Sequence, residues 1–182
     1  MSKATFTSLP LAEHLLQSLD SLGYSQMTPI QQQALPVLLE GKDILAKART
    51  GSGKTVAFAL TLLHKLAVKR FRIQSLVLCP TRELAEQVAQ EIRRLARSQH
   101  NIKVLTLVGG VSIGPQIGSL EHGAHIIVGT PGRVLEMLDR NLLNLSDVET
   151  LVLDEADRML DMGFADDLAV ILNALPADRQ TL

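Results

Sequence analysis

"DILAKARTGSGKT", residues 43–55, is the stretch on which the architecture turns. A short apolar run leads into a turn with glycines at 51 and 53, then Lys54 and Thr55, then the strongly apolar segment "VAFALTLLHKLAV". Strand, glycine turn and helix in that order make a loop whose backbone N–H groups turn inward around phosphate oxygens. The positive end of the new helix then points at the same oxygens. Lys54 supplies a point charge for the outer phosphates and Thr55 a hydroxyl for Mg2+, with Arg49, Thr50 and Ser52 completing the loop. The general pattern G-x-x-x-x-G-K-[ST] asks for glycine at 48, where Ala48 stands. Alanine tolerates an extended strand end, and the positions nearest the phosphates keep their glycines. The competing reading is a plain glycine-rich turn before a helix.

Apolar runs recur at 43–48, 75–80, 103–110, 125–131 and 150–157. Each is rich in Val, Ile and Leu without strict alternation, the mark of strands buried on both faces. Helical patterns lie between them, clearest in "TRELAEQVAQEIRRLARS", where Leu84, Val88, Ile92 and Leu95 share one face. Strands alternating with such helices predict an α/β fold, a parallel sheet with helices on both faces. Before the first run, "PLAEHLLQSLDSLG" and "PIQQQALPVLLEG" read as two extra helices closed by Gly23 and Gly41. Residues 1–41 are thus expected to form a helical extension and 42–182 the nucleotide-binding domain. "DRQTL" at the end reads as the opening of another strand, so a truncated chain is expected.

Composition narrows the function classes. Eighteen basic and nineteen acidic residues leave a net charge of −1, so any nucleic-acid site must be local. Four Phe, one Tyr and no Trp are too few for extended base-stacking platforms, which favours grip on a nucleic-acid backbone. The single cysteine, Cys79, sits in an apolar run, reads as core packing and fits a reducing compartment. No segment reads as a signal peptide or a membrane span, so a soluble, cytoplasmic protein is expected. The five histidines show no metal spacing; His14 and His64 read as structural, and Arg93, Arg94 and Arg97 as a solvated helix face.

"LVLDEAD" places Asp154 and Glu155 at the exit of a buried strand. A carboxylate there can hold Mg2+, partly through water, while its neighbour deprotonates an attacking water. Asp154 is read as the metal residue and Glu155 as the general base, against the alternative of a solvated acidic turn opening a helix. A phosphate loop in the same sheet favours the first reading, because the two are halves of one site.

"DEAD" at 154–157 together with "ARTGSGKT" closely resembles the DEAD-box RNA helicases. "GYSQMTPIQ" (23–31) looks like that family's Q motif, "PTRELA" (80–85) its motif Ia, Gly109-Gly110 its GG element and "TPGR" (130–133) its motif Ib. The Ala48 form of the loop is normal in the family; Met27 departs from it, standing where proline is usual. The resemblance implies a RecA-like domain binding ATP and Mg2+. Gln31 would read adenine, accepting from N6–H and donating to N7, a pairing that guanine's O6 refuses. Tyr24 and Phe6 would pack around the base, with packing of the N-terminal helices as their other role.

For RNA, the resemblance points to Pro80, Thr81, Arg82, Gly109, Gly110, Thr130, Pro131, Gly132 and Arg133. The residues themselves support this. Thr81, and Thr130 followed by Pro131 at N1, are good helix starts that leave N–H groups free for a phosphate, with Arg82 and Arg133 beside them. Asp157 would couple to a motif beyond Leu182, and a second RecA-like domain would supply an arginine finger, worth about 10³ to 10⁵ in rate. The implied whole is an RNA-dependent ATPase that unwinds or remodels RNA, while this chain alone is expected to be nearly inactive. Within the family it resembles a bacterial type implicated in assembly of the large ribosomal subunit. The alternative is an ATP-dependent RNA clamp or scaffold without productive unwinding; a P-loop ATPase acting on DNA or protein fits the motif set less well.

Overall fold

Four of the five apolar runs form strands in the computed structural model, which describes residues 4–182. They are β1 (Ser75–Leu78), β2 (Val104–Leu107), β3 (Ile126–Gly129) and β4 (Thr150–Leu153), and β5 (Gln180–Thr181) comes last. The sheet runs β2-β3-β1-β4-β5 and every pairing is parallel. Alternate side chains serve opposite faces, as the two-residue strand period requires. Val77, Cys79, Ile126 and Val128 join one core, and Leu76, Leu78, Ile127 and Leu151 the other.

The first core is covered by α1 (Glu13–Ser21), α2 (Pro29–Leu39), α3 (Lys54–Lys65) and α4 (Arg82–Leu95). The second is covered by α6 (Pro131–Asp139), α7 (Ala156–Asp161) and α8 (Ala165–Asn173), with Ile117 and Leu120 of α5 (Gly114–Glu121) at its margin. This is the expected α/β fold with helices on both faces. Gly23 and Gly41 end α1 and α2 in the left-handed conformation, at φ of 78° and 82°. Leu15, Leu19, Leu35 and Leu38 share the first core with α3, so the described part of 1–41 (residues 1–3 lie outside the described residues) packs as one body with the sheet domain. Cys79 is fully buried, and burial pushes its thiol up, which fits a packing role.

The run at 43–48 departs from expectation, because it is not a strand. Leu45 is 99% exposed, and among the described residues the segment's one backbone bond to the sheet is Ile44 N donating to Thr181 O (3.2 Å), beside which the Asp43 side chain accepts at Oδ1 from Thr181 N (2.7 Å). The physical reason lies in its neighbour: β5 offers two residues as a template, too few to build a ladder. What anchors this corner is Gln180, whose Nε2 donates to Leu38 O and Lys42 O while its Oε1 accepts from Lys65 Nζ. Arg93 departs too: its Nη2 donates to Val104 O at 2.8 Å, tying α4 to β2.

His14 on α1 and His64 on α3 each bury a ring nitrogen, Nε2 and Nδ1, that finds no partner. Burial, with the His64 ring as a second cause, holds His14 below the usual histidine range. A folded-state value below the unfolded one makes the unfolded chain bind more protons as pH falls. The stability is therefore complete above about pH 6.5 and is lost below it. Thermal denaturation should show the midpoint falling between about pH 7.5 and about pH 5.5, and His14→Gln should flatten the fall. The change is expected to stay under about 1 kcal/mol, since solvent screens a part-exposed ring. An identical pH profile in the variant would clear His14 of this role.

Candidate functional site

Every parallel strand presents its carboxyl end to the same edge, and the polar motifs after β1, β2, β3 and β4 leave from there, whereas the glycine loop follows the unpaired run at 43–48. The ladder continues one residue past the strands: Cys79 N donates to Gly129 O (2.9 Å), Thr130 N to Leu107 O (3.0 Å) and Asp154 N to Leu78 O (3.0 Å). The exits of β2, β3, β1 and β4 are thereby locked in one row.

At the glycine loop, Gly51 and Gly53 lie in left-handed backbone, at φ of 78° and 96°, which is the reason for glycine at both positions. Gly53 is also sterically required: a Cβ there would sit 2.5 Å from Gln31 Nε2 and 2.9 Å from Thr28 Oγ1. Lys54 and Thr55 open α3, placing its N-terminal N–H groups over the loop. Lys54 Nζ donates to Ala48 O at 2.8 Å, so the charge is folded back onto the loop. Ser52 Oγ is buried without a partner. An orphaned hydroxyl beside a left-handed glycine turn and a helix start is what an incoming phosphate would satisfy.

Gln31 is 2% exposed and both ends of its amide are engaged. Its Oε1 accepts from Thr28 N (2.9 Å), one half of a capping box for α2, and its Nε2 donates to Gly53 O (3.1 Å). Those contacts fix which end is oxygen and which nitrogen. One lone pair and one N–H remain for a ligand. The aromatic pair takes up packing positions: Phe6 is 2% exposed in the first core, and Tyr24 donates from its hydroxyl to Glu91 Oε1 at 2.8 Å.

Asp154 and Glu155 come directly after β4. Burial pushes the Asp154 carboxyl up, with the nearby Lys54 charge and the Glu155 N–H opposing and the Glu155 charge adding. A part-buried carboxylate close to the Lys54 charge, with the Thr55 hydroxyl next in the chain after Lys54, offers hard oxygen donors of the kind Mg2+ takes, usually with several waters retained. Glu155 is one of three described non-glycine residues at positive φ (53°), caps α7 and accepts from Arg158 Nη1 at 3.1 Å. The left-handed backbone turns the chain sharply from strand into helix at that residue. Asp157 is exposed, and its Oδ1 accepts from Arg158 N.

The candidate RNA residues sit on three neighbouring strands. Pro80, Thr81 and Arg82 come after β1, Gly109 and Gly110 after β2, and Thr130 to Arg133 after β3. Thr81 Oγ1 accepts from Leu84 N at 3.3 Å, the expected cap; Thr130 has the cap's extended backbone but no side-chain cap bond. Arg82 is exposed and paired with Glu86. Arg133 is placed otherwise than its sequence suggested, at 9% exposure: Nη2 donates to Val111 O (3.0 Å) and Nε faces Glu136 (3.0 Å). It ties the loop after β2 to α6, with Nη1 left buried and unpartnered.

Sequence reasoning missed several supports. Thr28 was legible as the start of a T-x-x-Q capping box. Gln116, which holds Val108 at both N–H and C=O, left no local signal. Gly129 likewise gave none, although a Cβ there would meet Val134 Cγ2 at 2.7 Å and Leu107 O at 2.8 Å.

A family model described as DEAD/DEAH box helicase matches residues 28–182. The ATP-dependent RNA helicase DbpA of Escherichia coli strain K12 is 54% identical over 179 residues, covering 98% of this chain and 39% of its own length. The ATP-dependent RNA helicase CshA of Listeria monocytogenes is 48% identical over 177 residues, covering 97% of this chain and 34% of its own. A crystal structure of a DEAD box protein from Methanococcus jannaschii superposes with a TM-score of 0.93 at 42% identity, over 100% of this chain and 50% of that one. The chain thus spans well under half the length of these curated relatives.

Proposed function

Because the chain belongs to the DEAD/DEAH box helicase family, we propose that it is the ATP- and RNA-binding RecA-like domain of an ATP-dependent RNA helicase. The observation that carries this reading is the shared edge. The Asp154-Glu155 exit and the loops after β1, β2 and β3 all open on one edge of the sheet, where open α/β sheets bind ligands, and the Lys54 charge lies near Asp154 there.

In the proposed site, the loop 49–55 wraps the phosphates with its N–H groups, and Lys54 leaves Ala48 O to meet them. Thr55 and Asp154 would hold Mg2+, which when bound supplies charge neutralisation at the phosphates. Glu155 takes the proton of the attacking water after releasing Arg158. Gln31 offers its remaining lone pair and N–H to adenine N6–H and N7, while Tyr24 and Phe6 support the adenine side from the packed positions they occupy. RNA lies along Pro80, Thr81, Arg82, Gly109, Gly110 and Thr130 to Gly132, gripped by backbone N–H groups, with Arg133 holding two of those loops together. Residues 1–41 act as the helical extension that carries Gln31, and 42–182 as the ATP-binding domain. Asp157 and a second RecA-like domain complete the machine, which acts in the cytoplasm. Among the described residues, no helix is long and apolar enough to cross a membrane. The likeness to DbpA supports ribosomal RNA, in assembly of the large subunit, as the substrate that is remodelled.

The test is nucleotide choice. Wild-type protein should bind ATP over GTP and, as the complete protein, release a short RNA duplex with ATP. Gln31→Ala should cut the ATP-over-GTP preference about tenfold, and removing the bond to Thr28 N should cost about 1 kcal/mol of stability. Isothermal titration with both nucleotides measures the first effect and thermal denaturation the second. An intact ATP preference in the variant would refute the adenine-reading role.

A further inference from the structure

At the opposite end of the sheet a small cavity of about 230 Å3 opens among the segments that enter β1, β3 and β4. It is lined by Phe71 and Arg72, by Gly123, and by Leu142 and Asn144. Four-residue strands separate it from the carboxyl edge by about 13 Å at ~3.3 Å per residue. Its floor is an aromatic ring that is half exposed and yet held. Phe71 is 52% exposed, its ring centroid lies 4.8 Å from that of His125 at a tilt of 49°, and Lys103 Nζ stands 5.8 Å from the ring centroid. His125 is itself fixed, accepting from Lys103 N at Nδ1 (3.0 Å) and meeting Val68 O at Nε2 (2.9 Å).

Around this ring Lys69, Arg70, Arg72 and Lys103 outnumber Glu121, Asp147 and Glu149 by one charge. Arg70 holds both Glu149 (2.7 Å) and Asp147 (3.7 Å), while Lys69, Arg72 and Lys103 form no ion pair among the described residues. The volume lies below that of ordinary small-molecule pockets, about 300 Å3 and upward, and suits a single flat ring. The exposed apolar area is the half-bare Phe71 side chain and Leu142, too little for the fully desolvated pocket that anchors a protein partner. A fixed aromatic face flanked by unmatched cations is the arrangement that stacks a base and holds its phosphates.

We propose that this face is a second RNA contact, in which Phe71 stacks one base of a single strand while Lys69 and Arg72 hold the adjoining phosphates. It rests on the RNA reading above and extends it, giving the protein a hold on single-stranded RNA outside the edge where remodelling takes place. It also modifies the expectation from the aromatic count, since one well-placed ring is enough for one base.

The experiment is photocrosslinking of single-stranded RNA containing 4-thiouridine to the 182-residue chain, with crosslinked peptides mapped by mass spectrometry and affinity followed by fluorescence anisotropy. Crosslinks are expected in the peptide holding Phe71 and in the loops after β1, β2 and β3. Phe71→Ala should erase the first, leave the others and weaken binding about fivefold, whereas Phe71→Tyr keeps all of them. Arg72→Gln should lower the salt slope by about 0.7. The half-exposed position makes misfolding of Phe71→Ala unexpected, and circular dichroism checks it. Crosslinks confined to the carboxyl-edge loops, with unchanged affinity in Phe71→Ala, would overturn this contact and leave the RNA reading standing. An acidic peptide captured at Phe71, with no RNA crosslink there, would overturn it as well. The absence of crosslinks anywhere would overturn both.

Discussion

Lys54→Ala is expected to abolish ATP binding at concentrations that saturate the wild type. Lys54 is the first residue of α3, and its ammonium lies within the fold of its own loop, donating to Ala48 O at 2.8 Å. In the proposed complex that donor moves to the outer phosphates, making charge-assisted bonds worth about 1.5–3 kcal/mol each. Two such bonds correspond to a loss of about 100-fold or more in affinity. The folded chain should survive, because the alanine removes one part-buried hydrogen bond, about 1 kcal/mol, and keeps a strong helix former. Isothermal titration should therefore show no ATP heat while circular dichroism stays native. Wild-type affinity in the variant would mean that the phosphates lie elsewhere.

Glu155→Gln should leave ATP affinity close to wild type and stop turnover in the complete protein. The glutamine has the same shape, can accept from Arg158 Nη1 as the carboxylate does, and keeps the left-handed backbone that Glu155 holds at φ 53°. It cannot take a proton from water. A positioned general base contributes about 10²- to 10⁴-fold, so kcat should fall by that range. Single-turnover hydrolysis with RNA present is the measurement, paired with a nucleotide titration. Turnover within an order of magnitude of wild type would remove Glu155 from the chemistry and shift attention to Asp154. The partnership with Arg158 adds a detail invisible in the motif: in the proposed reaction Glu155 gives up an ion pair that solvent reaches from both sides, 55% exposed at Arg158 and 26% at Glu155, and that is therefore cheap to break.

How far the sequence could be read depended on whether the determinant was local. Strands β1 to β4 were legible because their apolar runs are bounded by polar residues, and the helix after Thr81 because its cap and its apolar face agree. The run at 43–48 has the same composition and is not a strand, since pairing depends on a neighbour that composition does not report. Arg133 shows the same limit at the site. Its position after a helix start suggested an exposed cation, but the close approach of the loop after β2 draws its guanidinium onto Val111 O. Tyr24 and Phe6 stood open between ligand and packing; Glu91 of α4, distant in sequence, takes up the Tyr24 hydroxyl, and Phe6 is buried in the first core.

By itself, the sequence determined the chemistry available: a glycine loop with Lys54 and Thr55, an acidic exit at Asp154 and Glu155, helix starts at Thr81 and Thr130, and the alternation that makes the sheet parallel. These are matters of residue type and short spacing, governed by backbone conformation and periodicity within a few residues. The tertiary structure alone decided the arrangement. Because β3 pairs between β2 and β1, with β4 on the far side of β1, the three candidate RNA loops fall side by side and the acidic exit stands next to them. Strand order arises from long-range packing of helices on two faces, which no local stretch encodes. The same packing leaves Phe71 half bare at the other end of the sheet and brings Gln31 against Gly53 across twenty-two positions of chain.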